Sequence, residues 1–172
     1  MRIVGGKFTG RDLQSPSDRR VRPTAEHVRV AMMEWLAPAL AGARLLDLYA
    51  GTGALGLEAM SRGAVRCDFV EFRSASLVAL KANITRLKMR DRTRIFRHDA
   101  LRFAAGCQPD AYDITFVDPP YESRQLDRVI DHWRELRFSR WLVAEHAAGH
   151  VLPPGGDRHE LETTAVTVYR AE

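Results

Sequence analysis

Arg44-Leu45-Leu46-Asp47-Leu48-Tyr49-Ala50-Gly51-Thr52-Gly53-Ala54-Leu55-Gly56 is the stretch that decides the architecture. Its first six residues read as a short buried strand, and Ala54 to Arg62 read as a helix closed by Gly63. Between them the spacing G-x-G-x-x-G lets the chain turn sharply and offers the free N–H groups of a helix N-terminus. The same alternation continues outward. Cys67 to Val70 reads as a strand ending at Glu71, and Ser74 as the cap of a helix running to about Lys88. Thr93 to Arg97 and Tyr112 to Val117 read as strands, Gln125 to Leu136 as a helix and Trp141 to Glu145 as a further strand. A strand pair with a short turn is expected over residues 161–170. Upstream, Thr24 follows Arg22-Pro23 and reads as the N-cap of a helix. That helix carries Val28, Met32, Trp35 and Leu36 and is expected to stop at Pro38. Alternating strands and helices predict an α/β fold, a doubly wound and mostly parallel sheet with antiparallel character at its C-terminal edge. Residues 1–22 are expected to form a β-hairpin extension and residues 23–172 the main domain.

Composition excludes several classes. Hydrophobic residues make up 45% and charged residues 28%, a balance that argues against disorder. No apolar stretch approaches the ~20 residues that span a bilayer. The opening Met1-Arg2-Ile3-Val4-Gly5-Gly6 lacks a signal-peptide core, so no membrane association and a cytoplasmic location are expected. Cys67 and Cys107 are far apart and read as two thiols. His146 and His150 stand four apart, but Gly149 and Pro153-Pro154-Gly155-Gly156 argue against a helix. They read as solvent-facing loop residues, and no metal site is expected. The net charge is +4, concentrated in residues 1–30 and in the run from Lys81 to Arg102, as suits a polyanionic partner.

The second informative motif is Asp118-Pro119-Pro120-Tyr121, directly after the apolar Ile114-Thr115-Phe116-Val117. Two prolines force a stiff extended exit, so Asp118 lies at the carboxyl end of a strand, where open α/β sheets place ligands. A carboxylate, a proline carbonyl and an aromatic face together suit a flat base with an exocyclic amine. Glu71, twenty residues after Gly51, is placed to accept ribose hydroxyls. Asp47 puts negative charge at the crevice floor. That disfavours a pyrophosphate and favours a cationic amino-acid moiety, hence S-adenosyl-L-methionine over NAD.

These motifs resemble the bacterial 16S ribosomal RNA guanine-N2 methyltransferases of the RsmD type. The likeness spans nearly the whole chain, and Arg2-Ile3-Val4-Gly5-Gly6, Gly10-Arg11-Asp12-Leu13 and Arg22-Pro23-Thr24 make it specific. It implies a seven-stranded, Rossmann-like class I methyltransferase fold that moves a methyl group from S-adenosyl-L-methionine to N2 of a guanine. Asp118, Pro119, Pro120 and Tyr121 would be catalytic. Asp47, Tyr49, Ala50, Gly51, Thr52, Gly53, Gly56, Glu71, Asp99 and Ala100 would hold the cofactor. Asp99 reads equally as the N-cap of Ala100 to Ala105. Arg11, Arg22, Pro23 and Thr24 would meet the substrate, 16S ribosomal RNA in an assembling small ribosomal particle, with the enzyme a monomer. Val30, Glu34 and Leu161-Glu162 depart from the family pattern. A DNA adenine-N6 or cytosine-N4 methyltransferase, an NAD-dependent oxidoreductase and a non-catalytic RNA-binding module are the competing readings.

Overall fold

Short apolar strands separated by amphipathic helices bury both faces of one sheet. The computed structural model describes residues 1–17, 23–121 and 123–172. In chain order the elements are α1 (Glu26–Leu40), β1 (Arg44–Leu48), α2 (Ala54–Ser61), β2 (Arg66–Val70), α3 (Ser74–Arg86) and β3 (Thr93–Phe96). There follow α4 (Ala100–Ala105), β4 (Tyr112–Val117), α5 (Gln125–Leu136), β5 (Ser139–Ala147), β6 (Asp157–Leu161) and β7 (Thr164–Arg170). The seven strands lie in the order β3-β2-β1-β4-β5-β7-β6. β1 to β5 are parallel, and β7 runs antiparallel to both β5 and β6. The doubly wound sheet and its antiparallel edge are as the sequence predicts.

Leu45 joins a core with Met32, Leu57 and Leu80 from α1, α2 and α3. Its neighbour Leu46 faces the opposite way, into a core with Ala104, Val129 and Trp133 from α4 and α5. Successive side chains of one strand thus feed two cores, which is why β1 is apolar throughout instead of alternating. No described helix is long and apolar enough to cross a membrane.

Four local expectations differ. Thr24 is not the cap of α1; Ala25 holds that position without a side-chain bond. Pro38 does not end α1 but sits in its last turn, where its missing N–H deprives only the carbonyl of the exposed Glu34. Ser74 is the first residue of α3, with Arg73 at the cap position. His146 is buried on β5, its Nε2 within 2.8 Å of Thr167 Oγ1, and His150 Nε2 meets Asp127 at 3.1 Å. A nine-residue β5 carries the chain past Glu145, so the glycine and prolines that argued for a loop act only after Ala147. Among the described residues no group of three His, Cys, Asp or Glu side chains could hold a metal ion.

At the N-terminus the hairpin is reduced to one antiparallel bridge, Arg2 to Asp12. Ile3 and Leu13 sink into the core of α1 and α2. The fully buried Glu58 carboxylate accepts the Val4 and Gly5 N–H groups and pairs with Arg62. Ile3 and Leu13 still donate across the turn to the Arg11 and Met1 carbonyls, while α2 takes the N–H groups that face it.

Candidate active site

A cleft of about 970 Å³ opens at the carboxyl ends of the parallel strands. It spans the point between β1 and β4 where strand order reverses, the usual ligand position of such sheets.

The glycine loop forms one wall. Gly51 and Gly53 have φ of +57° and +81°, backbone that favours glycine. A side chain on Gly51 would meet nothing within 4 Å, so its face is open. Gly53 and Gly56 do not line the cleft. A Cβ on Gly53 would come within 2.5 Å of Leu80, and one on Gly56 within 2.6 Å of Phe69, so Gly53 lets the start of α2 close on α3 and Gly56 lets α2 close on the sheet. Of the three glycines, only Gly51 presents its face to a ligand. Tyr49, Ala50 and Thr52 line the same wall, and the Tyr49 hydroxyl donates to Gln125 at 2.6 Å.

Three acids furnish this half. Asp47 is buried, and its Oδ2 accepts the Gly56 N–H at 3.0 Å. Burial pushes its carboxyl up to about 8, against that hydrogen bond and with some help from Glu71. Glu71 clamps the loop: Oε2 accepts from Gly51 N, and Oε1 from Phe72 N and Arg73 N. Asp99 caps α4 by accepting the Arg102 N–H at 2.8 Å through Oδ1, and also lines the cleft beside Ala100. Capping engages one of its oxygens, so the two roles read from sequence are compatible in geometry.

The opposite wall holds Asp118, Pro119, Pro120 and Tyr121. Val117 and Ala144 are the last register partners of β4 and β5, so Asp118 and Glu145 come next, side by side. Thr24 Oγ1 donates to Asp118 Oδ2 at 3.2 Å, which explains why this hydroxyl is not a helix cap. Burial and the Glu145 carboxylate hold Asp118 well above the usual carboxylate range, against the Thr24 bond. The Pro120 carbonyl is taken by Ser123, whereas the Pro119 carbonyl accepts no bond from a described residue. Tyr121 is half exposed, its hydroxyl 2.9 Å from Thr164 Oγ1 and 3.3 Å from Glu145 Oε1.

Pro23 and Thr24 reach the cleft. Arg11 does not; it is exposed on the N-terminal turn. Arg22 lies outside the described residues. Glu145, Thr164 and His98 also line the cleft and were missed from sequence. Glu145 carried a signal: Trp141-Leu142-Val143-Ala144-Glu145 repeats the pattern of an apolar strand ending in an acid. Thr164 carried none, since the antiparallel β7, lying between β5 and β6, brings it in.

The family model described as Conserved hypothetical protein 95 matches residues 1–156. The chain is 37% identical to the ribosomal RNA small subunit methyltransferase D of Escherichia coli K12, over 84% of this chain and 71% of that protein. A solved Escherichia coli structure, provisionally described as a methyltransferase, superposes with a TM-score of 0.85. It is 31% identical and covers 100% of this chain and 98% of its own. An RNA methyltransferase from Salinibacter ruber, solved with S-adenosyl-L-homocysteine, shares the fold at 16% identity and a TM-score of 0.68, covering 87% of this chain and 93% of that one.

Proposed function

The chain belongs to the ribosomal RNA small subunit methyltransferase D family, and on that premise we propose that it transfers a methyl group from S-adenosylmethionine to N2 of a guanine in 16S ribosomal RNA. One observation carries the reading: Asp118 opens into the same cleft as Gly51 and Asp47, and one of its oxygens is engaged by no described residue.

The cleft suits that cofactor by chemistry. Glu71 and Asp99 give it an acidic lining that suits ribose hydroxyls, and Asp47, which burial makes hold its proton up to about 8, can release it against an arriving cationic amino acid. The open face of Gly51 lets a ligand approach the backbone closely. Bound there, S-adenosylmethionine supplies a methyl carbon carried on a sulfonium.

The chain's own task is to prepare the amine. The lone pair of a guanine N2 is delocalised into the ring, which makes it a poor nucleophile. Asp118 Oδ1 and the Pro119 carbonyl accept its two N–H bonds, fix its direction and draw it toward tetrahedral geometry. Thr24 holds the other Asp118 oxygen, so the carboxyl is oriented before the base arrives. As the N–C bond forms, N2 sheds one proton, and the raised proton affinity of Asp118 suits it to take that proton. Tyr121, pinned by its hydroxyl, offers a ring face for stacking, and the target guanine must leave its own stack to arrive. We further propose a monomer acting on RNA within an assembling ribosomal particle.

Mass spectrometry of ribosomal RNA from cells lacking the protein tests the reading. One guanosine should lose an N2 methyl group; an unchanged modification profile would refute the proposal.

A further inference from the structure

Glu145 takes no part in the chemistry above, yet it is the most unusual side chain in the cleft. Only 5% of the residue is exposed. Its Oε1 lies 3.3 Å from the Tyr121 hydroxyl and 3.4 Å from Thr164 Oγ1, whose shorter bond goes to the His146 carbonyl at 2.9 Å. Its Oε2 is buried without a hydrogen-bond partner among the described residues. The Thr24 hydroxyl lies close enough to both acids to lower the proton affinity of each, but it has a single proton and donates it to Asp118 Oδ2 at 3.2 Å. No described cation forms an ion pair with Glu145. A buried acceptor left in this state lacks a donor, and its free energy improves when one arrives.

The shape of the missing donor follows from the register. Glu145 sits beside Asp118 on the adjacent parallel strand, so the cleft presents two carboxyl groups in a row. Guanine carries a matching row on one edge, the ring N1–H next to the N2 amine. Adenine offers its amine next to a bare ring nitrogen, an acceptor that would face an acceptor. We infer that Glu145 is a specificity-determining residue, its Oε2 accepting the guanine N1–H while Asp118 holds the amine; the inference rests on the proposed methylation of guanine N2.

Its consequence is selection by ring protonation pattern and not by the amine alone. A site built to satisfy a substrate N–H rejects an analogue that lacks it by several orders of magnitude, because its own polar group is then buried without a partner. Burial also raises the proton affinity of Glu145, so the arriving N1–H relieves a costly state.

The test uses the intact enzyme and two bases. After the methylated guanosine has been located, 16S RNA is assembled by splint ligation with either guanine or 2-aminopurine at that position. Both carry the amine, but 2-aminopurine has no N1–H. Wild-type kcat/KM should favour guanine by at least about a hundredfold. In Glu145→Gln the amide can turn its NH2 toward a bare ring nitrogen. The guanine rate should fall and the preference should shrink to within about tenfold, with cofactor affinity by calorimetry unchanged. Equal wild-type rates on the two bases would overturn the inference, and that comparison needs no variant to fold. A preference that survives Glu145→Gln undiminished would also overturn it, by assigning discrimination to another group. Failure of the underlying reading looks different: no N2-methylated guanosine would be found at the mapping step.

Discussion

Asp68 on β2 is a buried acid, Glu145 on β5 is another with the half-buried Asp118 beside it, and the two places treat their acids in opposite ways. Asp68 is saturated: Arg94 donates to both its oxygens at 2.8 and 2.6 Å, and the Tyr112 hydroxyl adds a bond at 2.8 Å. Among the described residues, Asp118 receives one bond, from Thr24, and Glu145 keeps one oxygen with none. A fully paired acid serves the fold. Acids held together without a described cation cost stability and wait for a donor-rich ligand. The difference separates scaffold from site without reference to any relative.

The sharpest way to break that contrast is Asp118→Ala. Methyl incorporation should fall by roughly 10²–10³-fold, the scale on which one transition-state hydrogen-bonding group acts. The melting temperature should not fall, because a half-buried, poorly satisfied acid is being removed. Asn at 118 can still accept and should keep partial activity. Near-wild-type turnover in Asp118→Ala would end the amine-anchoring role.

Asp47 offers the next largest effect, and it is pH-dependent. Its folded carboxyl is pushed up to about 8, well above its unfolded value, chiefly by burial. Below about pH 4 both states are protonated and the residue sets no slope. Between there and about 8 the unfolded chain ionises while the folded one holds its proton, so stability falls as pH rises, by up to about 1.4 kcal/mol per unit. Asp47→Asn should flatten that loss and raise the melting temperature at pH 8, while weakening S-adenosylmethionine binding. Calorimetric melts at pH 5 and pH 8 decide the matter; an unchanged slope would show that Asp47 is not the group responsible.

Asp68→Ala should act in the opposite sense. It removes three hydrogen bonds and should cost about 2 kcal/mol in chemical denaturation. Activity per folded molecule should be preserved, since Asp68 does not line the cleft.

The same contrast explains what the sequence could and could not reveal. Asp47, Gly51, Glu71 and Asp118 were legible because each follows or ends an apolar run, and a parallel sheet collects such ends at one rim. Gly53 and Gly56 carried the right spacing, but their purpose is α2 packing, which spacing cannot distinguish from ligand contact. Thr24 had the grammar of a cap and is spent on Asp118, ninety-four residues away. Long-range pairing of that kind leaves no local mark. Arg94 likewise sat in a basic run that suggested RNA, and its partner Asp68 is visible only in the folded register.

The smallest effect tests that last distinction among cations. Lys81 is exposed on α3, whereas Arg94, from the same basic run, is engaged by Asp68. If Lys81 neutralises a phosphate, Lys81→Ala should reduce the slope of log affinity against log salt by about one for a 16S RNA target. Arg94→Met should leave that slope alone. It should cost roughly 1–3 kcal/mol of stability, because Asp68 is left buried with only the Tyr112 hydroxyl as a described donor. Filter binding across a salt series separates the two. A slope reduced equally by both variants would show that Arg94 serves RNA as well as the fold, and the division between paired and waiting charges would not extend to the cations.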